Sequence, residues 1–205
     1  VLIPKPYWVS YPELVKLTGA SPQFVETDKK NNYKLTAEKL KENITENTKA
    51  VIINSPSNPD GHFYSKEEVE GLIEVLRDKD IFIISDEIYD KLLYDGKDFT
   101  SMIEQYPELK ERILIVNGMS KTYSMTGWRV GFGFANSEWI KNMAKIQSHT
   151  TSNVNTIAQY ASAKALENNE LDEIVNKRRN IYQKRRDLTA DLLSEIEGLK
   201  IIKPA

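Results

Sequence analysis

Short apolar runs alternate along the chain with amphipathic stretches. Residues 49–54, 81–85, 112–116 and 130–134 are apolar or β-branched runs of strand length, bounded by turn-forming residues. Gln23 to Glu26 reads as a shorter strand. Helical patterns lie between them. One spans Thr36 to Ile44, with Thr36 placed to cap its first turn. Ser65 and Glu68 have the spacing of a capping box. The helix they open repeats Val69, Leu72, Ile73 and Leu76 at i, i+3, i+4 and i+7, which makes one face apolar. Further helices begin near Ser137 and near Val154. A last, long helix runs from about Leu171 to Glu195. Leu171, Ile174, Val175, Ile181, Tyr182, Leu188, Leu192 and Ile196 follow its apolar stripe. Lys177, Arg178, Arg179, Lys184, Arg185 and Arg186 fall on the opposite face, which is expected to be solvated. Strands without internal polar alternation are buried on both faces. Their alternation with helices predicts an α/β fold, a mostly parallel mixed sheet flanked by helices.

Composition narrows the chemistry. The 205 residues suffice for a domain with a sizeable core. The net charge of −2 provides no global field for nucleic acid or an anionic membrane, so neither is expected as a partner. Acidic neighbours dilute the basic face of the last helix. The absence of cysteine excludes disulfides, thiolate catalysis and cysteine-built zinc sites. His62 and His149 are far apart, and no metal site is expected. No apolar stretch approaches the length of a membrane span, and no signal peptide is recognisable. The chain opens on apolar Val1 and closes just after the strand-like Leu199 to Lys203, so both ends are expected to be cuts in a longer protein.

In an open α/β sheet, ligands bind where strands hand over to loops at their carboxyl ends. Three polar segments hold such positions. Asn54 to Gly61 carries two prolines that stiffen the loop and set the direction of Asn58, although the same residues also make an ordinary turn. Ser85-Asp86-Glu87-Ile88-Tyr89-Asp90 puts an acid at the end of a buried strand, where it needs a cationic partner or several hydrogen bonds. A protonated pyridine nitrogen would serve; so would an ion pair, a helix cap or magnesium. The third segment runs from Asn117 to Gly131 and places Lys121 among small and hydroxyl residues. A desolvated lysine loses its proton and becomes the amine that forms Schiff bases with carbonyl compounds. Arg129, eight residues on, is a fixed positive fork suited to a phosphate. The apolar runs on either side predict a buried position for this segment, against the plainer reading of a charged surface loop.

Taken in order, Pro-x-Asn-Pro-x-Gly, Ser-Asp-Glu-Ile-Tyr, and Ser-Lys followed by Gly-Trp-Arg-x-Gly resemble the class I pyridoxal-phosphate aminotransferases, most of all the bacterial aspartate aminotransferase group. The opening Lys5-Pro6-Tyr7-Trp8-Val9-Ser10-Tyr11-Pro12-Glu13 and Asn155-Thr156-Ile157-Ala158-Gln159 are similar to that group as well, so the match runs from Val1 to about Ala205. The resemblance implies the large domain of fold type I and the cofactor pyridoxal 5'-phosphate. It implies that Lys121 holds the cofactor as a Schiff base and shuttles a proton, and that Asp86 keeps the ring nitrogen protonated. Tyr89 and Asn58 would donate to the phenolic oxygen, Arg129 and Ser120 would hold the phosphate, and Trp8 would stack on the ring. Gly118 stands where many members carry a phosphate-binding serine. Asp60 stands where threonine is usual, and is expected to bring a negative charge to the substrate side.

The implied reaction moves an amino group between an amino acid, aspartate or aromatic, and a 2-oxo acid such as 2-oxoglutarate, in a cytoplasmic homodimer. Residues 1–170 correspond to the cofactor-binding domain without its N-terminal part, and residues 171–205 to a connecting helix and the start of a small domain. The phosphate-cradling loop is expected before Val1 and the carboxylate-clamping arginine beyond Ala205, so the isolated chain is expected to be inactive. A related lyase or synthase, or a ligand-sensing domain of a transcription regulator, would share the same cofactor motifs.

Overall fold

Apolar runs become five of the six strands in the computed structural model, which describes residues 1–168 and 170–205. The six are β1 (Leu2–Pro4), β2 (Gln23–Val25), β3 (Ala50–Asn54), β4 (Phe82–Asp86), β5 (Ile113–Gly118) and β6 (Gly131–Phe134). They form one sheet in the order β2-β1-β3-β4-β5-β6. The pairs from β2 through β5 are parallel, and β6 joins β5 antiparallel. The helices are α1 (Ser10–Leu17), α2 (Ala37–Asn43), α3 (Lys66–Leu76), α4 (Met102–Gln105), α5 (Ser137–Thr150), α6 (Thr156–Glu167) and α7 (Leu171–Ser194). The sequence pattern did not single out β1, α1 or α4, which are short and carry weak periodicity.

The larger core lies on one face of the sheet. Leu40 of α2 and Val69, Leu72, Ile73 and Leu76 of α3 pack there with Val51, Ile53, Ile83, Ile113 and Ile115. All four residues of the expected α3 face are therefore buried. Leu72, Ile73 and Leu76 are fully buried, each contributing about 1.5–3 kcal/mol relative to exposure. The capping box forms as its spacing predicts. The Ser65 hydroxyl accepts from the Glu68 amide at 3.3 Å, and the Glu68 carboxylate accepts from the Ser65 amide at 2.7 Å. Thr36 likewise accepts from the Lys39 amide at the start of α2. On the other face, Tyr11 and Val15 of α1 pack on Ile3 and Ile52, with Ile84 beside them.

Two expectations need correction. The run 130–134 is not a buried strand: β6 is an edge strand with an exposed Phe134. In α7 the packed face differs from the expected stripe. Val175 is buried, whereas Ile174, Ile181, Leu188, Leu192 and Ile196 are exposed. Arg186, expected in solvent, turns inward with its side chain 6% exposed. It makes two 2.8 Å hydrogen bonds to Asp95 and lies 4.7 Å from the centre of the Tyr94 ring. The long aliphatic stem of arginine covers apolar surface while its fork reaches a carboxylate. A carboxylate far away in the sequence thus overrode the helix pattern.

Candidate active site

In a parallel sheet the carboxyl ends of successive strands share one edge, so segments distant in sequence meet there. Register brings Asn54 of β3 opposite Asp86 of β4, and Asp86 opposite Val116 of β5. The period-two alternation of β4 buries Ser85, and Glu87 just beyond the strand, on the side of the main core and sends Asp86 to the opposite face, toward α1. There the Asp86 carboxylate accepts from the Tyr11 hydroxyl at 2.6 Å and from the Ile88 amide at 3.2 Å. Burial pushes its carboxyl above the ordinary value, while the two hydrogen bonds pull it back only in part. Burial and the neighbouring carboxylate push the Tyr11 hydroxyl the same way, so it stays a donor.

Asn54 seats the loop that follows β3. Its amide donates to the carbonyls of Asp86 at 2.9 Å and Pro56 at 3.2 Å, and its oxygen accepts from the Asn58 amide N–H at 2.8 Å. Asn58 in turn places its side-chain nitrogen 3.5 Å from the Tyr89 hydroxyl. After β5 the chain turns tightly, with the Ser124 amide donating to the Lys121 carbonyl at 3.1 Å. The turn carries the Lys121 amine to 5.7 Å from the centre of the Tyr89 ring. Arg129 has a left-handed φ of 56° and donates to the Thr126 carbonyl at 2.8 Å. Gly118 has a backbone reason to lack a side chain. A Cβ there would sit 2.8 Å from the Val130 carbonyl oxygen across the β5–β6 pair.

Every site residue anticipated from the sequence lines one cleft of about 460 Å³: Trp8, Asn58, Asp86, Tyr89, Ser120, Lys121 and Arg129. That size suits a small cofactor. Tyr11 and Asn54 belong to the same cleft and were not assigned roles from sequence. Tyr11 lies three residues after Trp8, in the opening run that resembles the aminotransferases, and this was its only local signal. Two expectations fail. Lys121 and Arg129 are exposed on the cleft wall rather than buried, because the carboxyl edge of the sheet is open on that side. Asp60 does not line the cleft; its carboxylate pairs with His62 Nδ1 at 2.6 Å. Among the described residues no group of three or more acids and histidines is placed to hold a metal, and no helix is long and apolar enough to cross a membrane.

An acid, an amine, a guanidinium and an aromatic thus line one cleft at the carboxyl edge of an α/β sheet. Solved aminotransferases share this fold. The aspartate aminotransferase of Rhizobium meliloti superposes with a TM-score of 0.94 at 40% identity, over 100% of this chain and 51% of that one. The aromatic aminotransferase of Pyrococcus horikoshii superposes with a TM-score of 0.94 at 39% identity, over 99% of this chain and 54% of that one. The aspartate aminotransferase of Bacillus sp. (strain YM-2) is 46% identical over 204 residues, which is 100% of this chain and 52% of that protein. The family profile of aminotransferase class I and II matches residues 1–205, and the chain belongs to that family. It spans about half the length of the relatives it matches.

Proposed function

We propose that this chain is the cofactor-binding part of a pyridoxal-phosphate-dependent aminotransferase that acts on aspartate or an aromatic amino acid and a 2-oxo acid such as 2-oxoglutarate. One observation carries the reading. Asp86 is a largely buried carboxylate that accepts only neutral hydrogen bonds and has no cationic partner among the described residues. Such a group is costly unless a cation joins it. The protonated pyridine nitrogen of pyridoxal phosphate fits that need, in a cleft whose other residues fit the rest of the molecule.

When bound, the cofactor supplies an electron sink for the carbanion formed at the substrate α-carbon. The chain's own residues do the rest. Asp86 keeps the proton on the ring nitrogen, and Tyr11 holds the Asp86 carboxylate in place. Tyr89 and Asn58 hydrogen-bond the phenolic oxygen. Lys121 is the amine that would hold the cofactor at its carbonyl carbon, and the same amine would move a proton at the substrate α-carbon. Arg129 and Ser120 hold the phosphate, and Trp8 covers one ring face. Residues 1–170 serve as the cofactor-binding body. Residues 171–205, mostly α7, lead toward a second domain, and the intact protein works as a homodimer.

The test is aspartate-dependent conversion of 2-oxoglutarate to glutamate by the intact protein that contains this chain. Lys121→Ala is expected to lower the rate by roughly 10²–10⁴-fold, the span of positioned proton transfer. Ammonia release that needs no 2-oxo acid would instead identify a lyase.

A further inference from the structure

Asp90 lies outside the cleft but touches the segments that build two of its walls. It directly follows Tyr89. Its Oδ2 accepts from the side-chain amide of Asn117, in β5, at 3.0 Å. Its Oδ1 accepts from the hydroxyl of Thr122, the residue after Lys121, at 3.0 Å, and from the Lys91 amide at 2.7 Å. Both side-chain donors are constrained. Thr122 is 1% exposed, so without Asp90 its hydroxyl has no water to turn to. The Asn117 oxygen accepts from the Gly118 amide at 2.7 Å, which fixes the nitrogen toward Asp90. The Thr122 carbonyl is held from the other side by Arg178 of α7 at 3.5 Å. Hydrogen bonds to an ionised acceptor are roughly twice as strong as neutral ones.

We infer that Asp90 is a positioning residue: through Thr122 and Asn117 it fastens the Lys121 turn to the loop bearing Asp86 and Tyr89, and so sets the direction from which the Lys121 amine meets the cofactor carbonyl. The inference rests on the cofactor reading above. Asp90 touches none of the reacting atoms. Its effect passes through the backbone of Thr122 to its neighbour. The Lys121 amine has no hydrogen-bond or ion-pair partner among the described residues and lies 5.7 Å from the centre of the Tyr89 ring, so the backbone placement of Lys121 governs where the amine goes.

The test compares the intact protein with Asp90→Ala, Thr122→Val, Asp90→Asn, and the exchange Asp90→Asn with Asn117→Asp. Pyridoxal phosphate is added, and two quantities are read: the dissociation rate of the bound cofactor and the visible circular dichroism of its absorption band, which reports ring orientation. Asp90→Ala, which removes the shared acceptor of Asn117 and Thr122, is expected to release the cofactor at least about tenfold faster, with a weakened dichroic band. Asp90→Asn alone sets one amide nitrogen against another and should behave similarly. The exchange lets the new carboxylate at position 117 accept from both Gly118 and the amide at position 90, whose oxygen still accepts from Thr122, so it should restore the band. If Asp90→Ala does not fold, the near-isosteric Thr122→Val decides the matter by the same two readings. Variants that match the parent, or a folded exchange protein that stays as impaired as Asp90→Asn, overturn the inference alone. A parent that takes no cofactor at Lys121 overturns the cofactor reading and this inference with it.

Discussion

Asp86 shows how a single residue is kept away from its comfortable state. In the folded chain its carboxyl is raised above the ordinary 3.8, with burial as the main cause. The folded form therefore binds a proton more tightly than the unfolded form. Stability is lost as pH rises from the ordinary value through the raised one, and above that window the ionised carboxylate is a standing cost. Asp86→Asn keeps an acceptor for Tyr11 and removes the charge. Without cofactor, the variant should be more stable than the parent near pH 7 and lose that advantage near pH 3. Urea unfolding at the two pH values checks this, and an equal difference at both would contradict it. The sequence made this acid legible through its place after an apolar run. The Tyr11 hydroxyl that holds it was not legible, because the two residues are 75 positions apart and meet only through the packing of α1 on the sheet. Gly118 was legible as an oddity, and its cause, close approach of the Val130 carbonyl, needed the β5–β6 register.

At the scale of elements, α3 and α7 mark the two limits of pattern reading. In α3 the capping box and the i, i+3, i+4, i+7 repeat agree, and tertiary packing uses the same face. Leu72→Ala is expected to cost about 2–5 kcal/mol through the cavity it leaves, and Ser65→Ala about 1 kcal/mol through the lost cap. Thermal or urea unfolding should rank them in that order; a reversed order would mean that α3 is held by its end rather than its face. In α7 several apolar residues stay exposed while Val175, Arg178 and Arg186 face the domain. Periodicity cannot weigh a basic side chain that finds a distant carboxylate or carbonyl. The strand at 130–134 failed for a related reason. Its glycines and phenylalanines resemble a buried run, but only sheet order reveals an edge.

Across the whole molecule, the site is a product of topology. Trp8, Asn58, Asp86 and the segment that carries Lys121 and Arg129 come from separate stretches, and a mostly parallel sheet delivers the ends of those stretches to one edge. This is why motifs scattered over much of the chain could be read as one constellation before their distances were known. The exposure of Lys121 and the turning of Asp60 toward His62 could not be read this way, since each depends on which side of the edge stays open. The deciding measurement is to add pyridoxal phosphate to the protein, reduce with borohydride and map the modified peptide. A single cofactor-sized mass on Lys121, absent from Lys121→Ala, is the predicted result. Visible colour without selectivity, with the mass spread over other lysines and Lys121 unmodified, would contradict the assignment of the cleft as a pyridoxal-phosphate site.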